Sequence, residues 1–377
     1  MASPTKSESN QDDAKQYITE PWSSSFDPSS LSPETLYDMA VLLLQPSSVK
    51  LGIPTTKLRL FLSLAQANYR QNAYHCWAHA VHVTFNAYRL LQDLKDLESF
   101  DDFDVFVLLF SALIHDLDHP GHSNMMEISN NSKMARLYND QSVIENNSIC
   151  IAYNLVHDIN LFSDLTTEMQ GMLRTRCVEL VLATDISPPS GKDRAMLVEA
   201  KWNAMVQAMG NSGGSVGSAA SGGVDCEFKI VTTEQRQRVS IMLLNIADLG
   251  SAMQPVNVFS NWSQRLYIEN NKSTGLTQEQ HIKTQQPFMQ YLCLPLLQFA
   301  SKYPILKNIN VYLNLLQNNL DTWNEMNTVK RCSVITAAYV VQPGVVQSNL
   351  VGNDVAMECV KGGVGVGAKN KLFIFKN

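Results

Sequence analysis

The stretch VFVLLFSALIHDLDHPGH, residues Val105–His122, begins with an apolar run, Val105–Ile114, and passes directly into His115, Asp116, Asp118, His119 and His122. The run is far short of the roughly 20 apolar residues needed to cross a bilayer, so it reads as a helix buried in a protein core. Pro120 and Gly121 stop that helix, leaving its polar end at the edge of the core. An adjacent His-Asp pair offers a nitrogen and an oxygen ligand. Because a carboxylate has two oxygens, Asp116 is able to bridge two cations while His115 holds one, as expected where metals sit roughly 3.5–4 Å apart.

A second histidine group precedes it. Residues Tyr74–Val83 read YHCWAHAVHV, and at 100° per residue His75, His79 and His82 fall within about a 60° arc of one helical face. Six of the eight histidines (His75, His79, His82, His115, His119, His122) lie within 48 residues. A metal site built from neutral imidazoles needs such crowding, because each ligand must reach one point at roughly 2.0–2.1 Å.

Around these groups the 377 residues read as all-α. Apolar positions recur at helical spacing over 57–69, 76–97, 103–116, 140–157, 169–183, 193–209, 233–247, 256–270 and 286–301, and strand-like alternation is rare before residue 330. The expected architecture is a bundle-like helical body with sites between facing helices. Residues 1–33 read as a mobile N-terminal tail, Gly210–Gly223 as a flexible Gly/Ser insertion, and 329–377 as a Val/Gly-rich C-terminal tail of unknown role. Charged residues make up 17% and the net charge is −6, which argues against a nucleic-acid binder. The seven scattered cysteines contain no CxxC pair, and the N-terminus lacks a signal-peptide core. A cytoplasmic protein with reduced thiols and no membrane span is therefore expected.

The motifs together resemble the catalytic domain of class I 3′,5′-cyclic-nucleotide phosphodiesterases. The matching segments are Tyr74-His75 with His79, His115-Asp116-Leu117-Asp118-His119-Pro120-Gly121 with Asn124, and Tyr138-Asn139-Asp140-Gln141-Ser142-Val143-Ile144-Glu145-Asn146. Leu182-Ala183-Thr184-Asp185-Ile186-Ser187, Ile246-Ala247-Asp248-Leu249, Trp262 with Arg265, and Gln285-Gln286-Pro287-Phe288 follow in family order. The resemblance narrows the helical body to a compact multi-helix domain of the HD type over residues 34–328. It implies that His79, His115, Asp116 and Asp248 ligate zinc, that Asp116 also touches a second ion, magnesium or manganese, and that His119, Glu145 and Thr184 hold the second ion's waters.

It further implies hydrolysis of cyclic AMP or cyclic GMP to the 5′-monophosphate by a metal-bridging hydroxide, ending a cyclic-nucleotide signal. His75, oriented by Glu269, is the implied general acid, and such help contributes about 10²–10⁴-fold. Tyr74, Leu266, Gln285 and Phe288 are the implied substrate contacts, with Gln285 on the purine edge and Phe288 on its face. Pro287 between them is expected to move Gln285 off the helix proper.

The chain departs from the family pattern at Cys76, at His82, at Asn147-Ser148 after the glutamate, and at Leu249-Gly250-Ser251-Ala252-Met253 after Asp248. Nucleotide preference and oligomeric state are not set by these letters. Two alternatives stay open at this point: an HD-type phosphohydrolase acting on another phosphate ester, and a catalytically silent nucleotide-binding scaffold.

Overall fold

A computed structural model of the chain describes residues 14–186, 230, 232–302 and 305–328. The Gly210–Gly223 insertion, the helical stretch expected over 193–209 and the tail 329–377 lie outside the described residues. Among the described residues the fold is all-α, with no strand beyond an isolated Leu94–Leu306 bridge. In chain order the helices are α1 (Pro33–Lys50), α2 (Thr55–Asn68), α3 (Trp77–Gln92), α4 (Asp102–Ile114), α5 (Asn124–Ser129), α6 (Lys133–Leu137) and α7 (Val143–Asp158). They continue as α8 (Thr167–Leu182), α9 (Thr233–Asp248), α10 (Val256–Thr274), α11 (Gln278–Phe288), α12 (Leu294–Lys302) and α13 (Ile309–Thr328).

Local chemistry accounts for the helix starts. The Ser32 hydroxyl accepts from Thr35 N at 3.1 Å ahead of Pro33, and capping boxes pair Asp101 with Asp104 and Thr232 with Gln235. Central α4 is buried from Phe106 to Ile114, as a helix apolar on all sides must be, and packs against α1, α3, α8 and α9. The Asp104 carboxylate is the exception to its apolar character. It pairs with Arg176 of α8 at 2.6 Å and with Arg236 of α9 at 2.7 Å, both charges being held by an acid that is itself buried.

Residues 14–33, read above as part of a mobile tail, instead lie against the body. Trp22 is 5% exposed, its indole N–H donates to Met253 O at 2.6 Å, and it covers the Arg89 guanidinium. An aromatic ring of that size gains too much from burial to stay in water, even inside a polar stretch. The stretch 286–301 is also interrupted. It divides into the end of α11, a π-helical turn at Met289–Cys293, and α12. Pro287 does not move Gln285 off the helix. Both lie within α11, and the wider turn begins at Met289, two residues beyond the proline that lacks an N–H.

Candidate metal and catalytic centre

Two parallel registers bring the candidate ligands together. On α4, eleven residues separate Asp104 from His115; on α9, twelve separate Arg236 from Asp248. With the Asp104–Arg236 ion pair fixing one end, equal rises of about 1.5 Å per residue bring the other ends level. His115 Nε2 lies 3.1 Å from Asp116 Oδ2 and 3.3 Å from Asp248 Oδ1, while His79 Nε2 of α3 lies 3.5 and 3.2 Å from the same two oxygens. One ligand atom from each of His79, His115, Asp116 and Asp248 falls within 4.8 Å of every other. His79 and His115 are 2% and 1% exposed.

The protonation pattern fits a cation at this point. His115 Nδ1 lies 2.9 Å from Ala112 O and donates its hydrogen there, which leaves Nε2 facing two carboxylate oxygens, with no hydrogen bond of good geometry. Burial lowers the basicity of His115, yet Asp116 and Asp248 together raise its pKa well above the usual value. Both carboxyls are in turn held well below the ordinary range, against burial, chiefly by His115. A buried set of two imidazoles and two carboxylates that demands positive charge at its centre is suited to a divalent ion.

His75 is not on the α3 face as the spacing suggested. Cys76, with φ −139° and ψ 178°, caps α3, and His75 precedes it in extended chain. Glu269 of α10 sets its position. One carboxylate oxygen accepts from Tyr74 N at 2.9 Å and His75 N at 3.0 Å, and the other takes the His75 Nδ1 hydrogen. Burial alone would raise the Glu269 pKa, but the bond and charge of His75 bring it down to about 2. Burial works against a charged His75, and Asp116, Glu269 and Asp248 outweigh it to raise its pKa.

His119 stacks on the His75 ring at 3.7 Å between centroids. Its Nδ1 accepts from Gly121 N at 3.1 Å, and burial, followed by the neighbouring His75, lowers its pKa to about 3, so the ring is neutral. His75, His119 and Glu269 form a second close group of potential ligand atoms. The tautomer opposes metal binding there: with Nδ1 accepting, Nε2 of His119 carries the hydrogen.

Glu145 and Thr184 stand outside the four-ligand group. The Asn124 amide donates to Glu145 Oε2 at 2.9 Å and accepts from Ile144 N, so one side chain fixes the helix start and the carboxyl together. Burial and then Asp185 raise the Glu145 pKa to about 7. Thr184 is buried, with its hydroxyl donated to Val181 O at 2.7 Å. The Tyr74 ring lies against His79 and Trp262 at 4.6 and 5.6 Å. Gln285 is buried, its amide donating to Thr284 Oγ1, while Phe288 packs on the core edge and Leu266 is half-buried on α10.

His82 and His122 are not part of the centre. His82 hydrogen-bonds Gln254 Oε1 at 3.0 Å and stacks on Trp262, with burial holding its pKa well below the usual value. His122 pairs with Glu127 at 2.6 Å. The sequence reading missed Asp27, Ser29 and Trp22, which reach α10 and the turn after Asp248. A tryptophan inside a polar segment was the available signal.

The family described as 3′5′-cyclic nucleotide phosphodiesterase matches residues 74–314. The chain is 30% identical over 222 residues to the rat (Rattus norvegicus) 3′,5′-cyclic-AMP phosphodiesterase 4C, and 29% identical over 263 residues to the mouse (Mus musculus) protein of that name. These matches cover 58% and 65% of this chain, which spans only 38% and 36% of those curated relatives. The crystal structure of the phosphodiesterase domain of the RhoPDE fusion protein from Salpingoeca rosetta superposes with a TM-score of 0.69 at 25% identity. That match covers 84% of this chain and 99% of the other.

Proposed function

The chain belongs to the 3′,5′-cyclic nucleotide phosphodiesterase family, and we propose on that premise that it hydrolyses cyclic AMP, cyclic GMP or both to the 5′-monophosphates, ending a cyclic-nucleotide signal. The observation that carries the reading is the meeting of His79, His115, Asp116 and Asp248 beside a histidine whose Nδ1 is committed to Glu269. The catalytic unit is residues 34–328, with 14–33 packed onto it. No helix among the described residues is long and apolar enough to cross a membrane. A cytoplasmic setting accords with free thiols at Cys76, Cys150, Cys177 and Cys293.

His79, His115, Asp116 and Asp248 would hold a metal such as zinc, and Asp116 would also serve a second ion, magnesium or manganese. Bound there, the ions supply Lewis-acid charge to the phosphoryl group and acidify water for attack. The protein's own part is proton delivery and positioning. Hydrolysis breaks the bond from phosphorus to the 3′ oxygen, which leaves as an alkoxide unless it receives a proton. With Nδ1–H fixed on the Glu269 carboxylate, His75 presents Nε2 as the proton donor. His119, Glu145 and Thr184 would hold water beside such ions. His119, neutral and stacked on His75, would do so without adding like charge to the charged donor. Tyr74, Leu266, Gln285 and Phe288 take the nucleoside, and the Gln285 amide, both donor and acceptor, suits either purine.

The test is incubation of the purified, metal-loaded chain with each cyclic nucleotide, with and without chelator, and chromatography of the products. Chelator-sensitive release of 5′-monophosphate supports the reading. A folded, metal-loaded sample that converts neither nucleotide overturns it.

A further inference from the structure

The tripeptide Ala73–His75 belongs to no helix, so what fixes the proton donor must come from outside it. Helix α10 supplies that hold from one face. Trp262, Arg265 and Glu269, spaced by three and four residues, all meet the tripeptide. Arg265 Nη1 donates to Ala73 O at 3.2 Å, Glu269 accepts from Tyr74 N and His75 N, and the Trp262 ring stands edge-on to Tyr74.

The same residues are gripped from behind by the N-terminal segment. Arg265 Nη2 donates to Ser29 O at 3.2 Å, the Trp262 indole N–H donates to Asp27 Oδ1 at 3.1 Å, and Asn261 donates to the other Asp27 oxygen and to Ser29 Oγ. Asp27 is itself held in place, its carboxylate accepting from Ser29 N at 2.9 Å. The Arg265 guanidinium thus ties two backbone carbonyls separated by more than forty residues. One leads into the donor loop and the other into the segment ahead of α1.

We infer that Arg265, backed by Asp27, is a positioning residue for the His75 proton donor, and that segment Pro21–Ser30 is thereby a working part of the reaction centre. This rests on the phosphodiesterase reading above. Arg265 reaches backbone carbonyls and not substrate or metal, and Tyr74 keeps its own ring packing on His79 and Trp262, so its loss bears on ground-state binding far less than on the proton donor. It lets His75 drift from the 3′ oxygen, and a displacement of about 1 Å at a reacting group costs up to about 10²-fold in rate. The effect falls on kcat and not on KM.

The experiment compares wild-type protein with Arg265→Met, Arg265→Lys and Asp27→Ala, all metal-loaded and checked for cooperative melting. Each is assayed on the cyclic nucleotide that wild-type protein hydrolyses and on its analogue with sulfur in place of the bridging 3′ oxygen. A thiolate leaves without a proton, so the analogue does not depend on His75. Arg265→Met is expected to lose about tenfold or more in kcat on the oxygen ester, with KM within about twofold and little loss on the sulfur ester. Arg265→Lys recovers part of the loss, and Asp27→Ala shows a smaller one of the same pattern. Equal losses on both esters, or unchanged kcat in Asp27→Ala together with Arg265→Met, overturn the inference. Should Arg265→Met fail to fold, Asp27→Ala alone decides by the same comparison. If wild-type protein hydrolyses neither cyclic nucleotide, the proposed function falls first and this inference with it.

Discussion

His115 donates its Nδ1 hydrogen to Ala112 O, which leaves its Nε2 and that of His79 facing the Asp116 and Asp248 carboxylates inside the protein. On the proposed reading, removing one carboxylate removes a ligand, whereas removing His75 does not. Asp248→Ala is therefore expected to lose bound metal and nearly all turnover. His75→Ala is expected to keep its metal and lose about 10²–10⁴-fold in kcat; metal analysis beside steady-state kinetics reads both. Glu145 makes a prediction about pH. Burial and Asp185 lift its pKa from 4.5 to about 7, so the folded state favours the protonated acid. Its contribution to stability is complete below about pH 4.5 and is lost as pH rises through 7, by up to about 3 kcal/mol. In chelator-treated protein the melting midpoint should fall between pH 5 and 7.5, and Glu145→Gln should flatten that fall. An identical slope in the variant would remove Glu145 as its source. Bound cations oppose the effect, because their charge favours the carboxylate.

At the scale of elements, the turn after Asp248 is one place where the chain departs from the family letters, and it is closely packed at Gly250. Gly250 opens a 3₁₀ turn, and a Cβ there would stand 2.8 Å from Asn86 Nδ2 and 3.2 Å from the Trp22 ring. Asn86 donates to Ala247 O, next to Asp248, so crowding at position 250 is transmitted to the end of α9 that carries this proposed ligand. Gly250→Ala is expected to cost about 1–3 kcal/mol and to weaken metal retention under dialysis, read by melting and metal content. A variant with wild-type melting and wild-type metal would show that the turn yields freely. Asn147-Ser148 has a structural account as well. Ser148 is fully buried and its hydroxyl donates to Leu117 O at 2.9 Å, tying α7 to the loop that carries His115, Asp116 and His119.

Across the whole molecule, the segment ahead of α1 closes one side of the core. Arg89 is buried with no salt bridge to a carboxylate among the described residues and lies over Phe85 at 4.1 Å and Trp22 at 4.9 Å; its pKa is lowered to about 9 by burial. Deleting residues 1–30 opens that packing and removes the Asp27 and Ser29 contacts to α10. The melting midpoint should drop on the order of 5–10 °C, since loss of a buried tryptophan alone costs about 3–5 kcal/mol. A midpoint within about 1 °C of the full chain would mean the segment contributes nothing. The apolar run Val105–Ile114, the helix start at Ser32 and the kinds of side chain that meet at 79, 115, 116 and 248 were legible in the letters. Periodicity, caps and donor chemistry act over a few residues, and a linear reading captures them. What the letters could not show is that Trp22 leaves its polar surroundings, that His82 turns to Gln254 while His79 turns to Asp248, and that His75 stands outside its helix. Each is decided by contacts between segments distant in sequence, many of them to backbone carbonyls and N–H groups that every residue shares. Such contacts exist only once the helices have closed on one another.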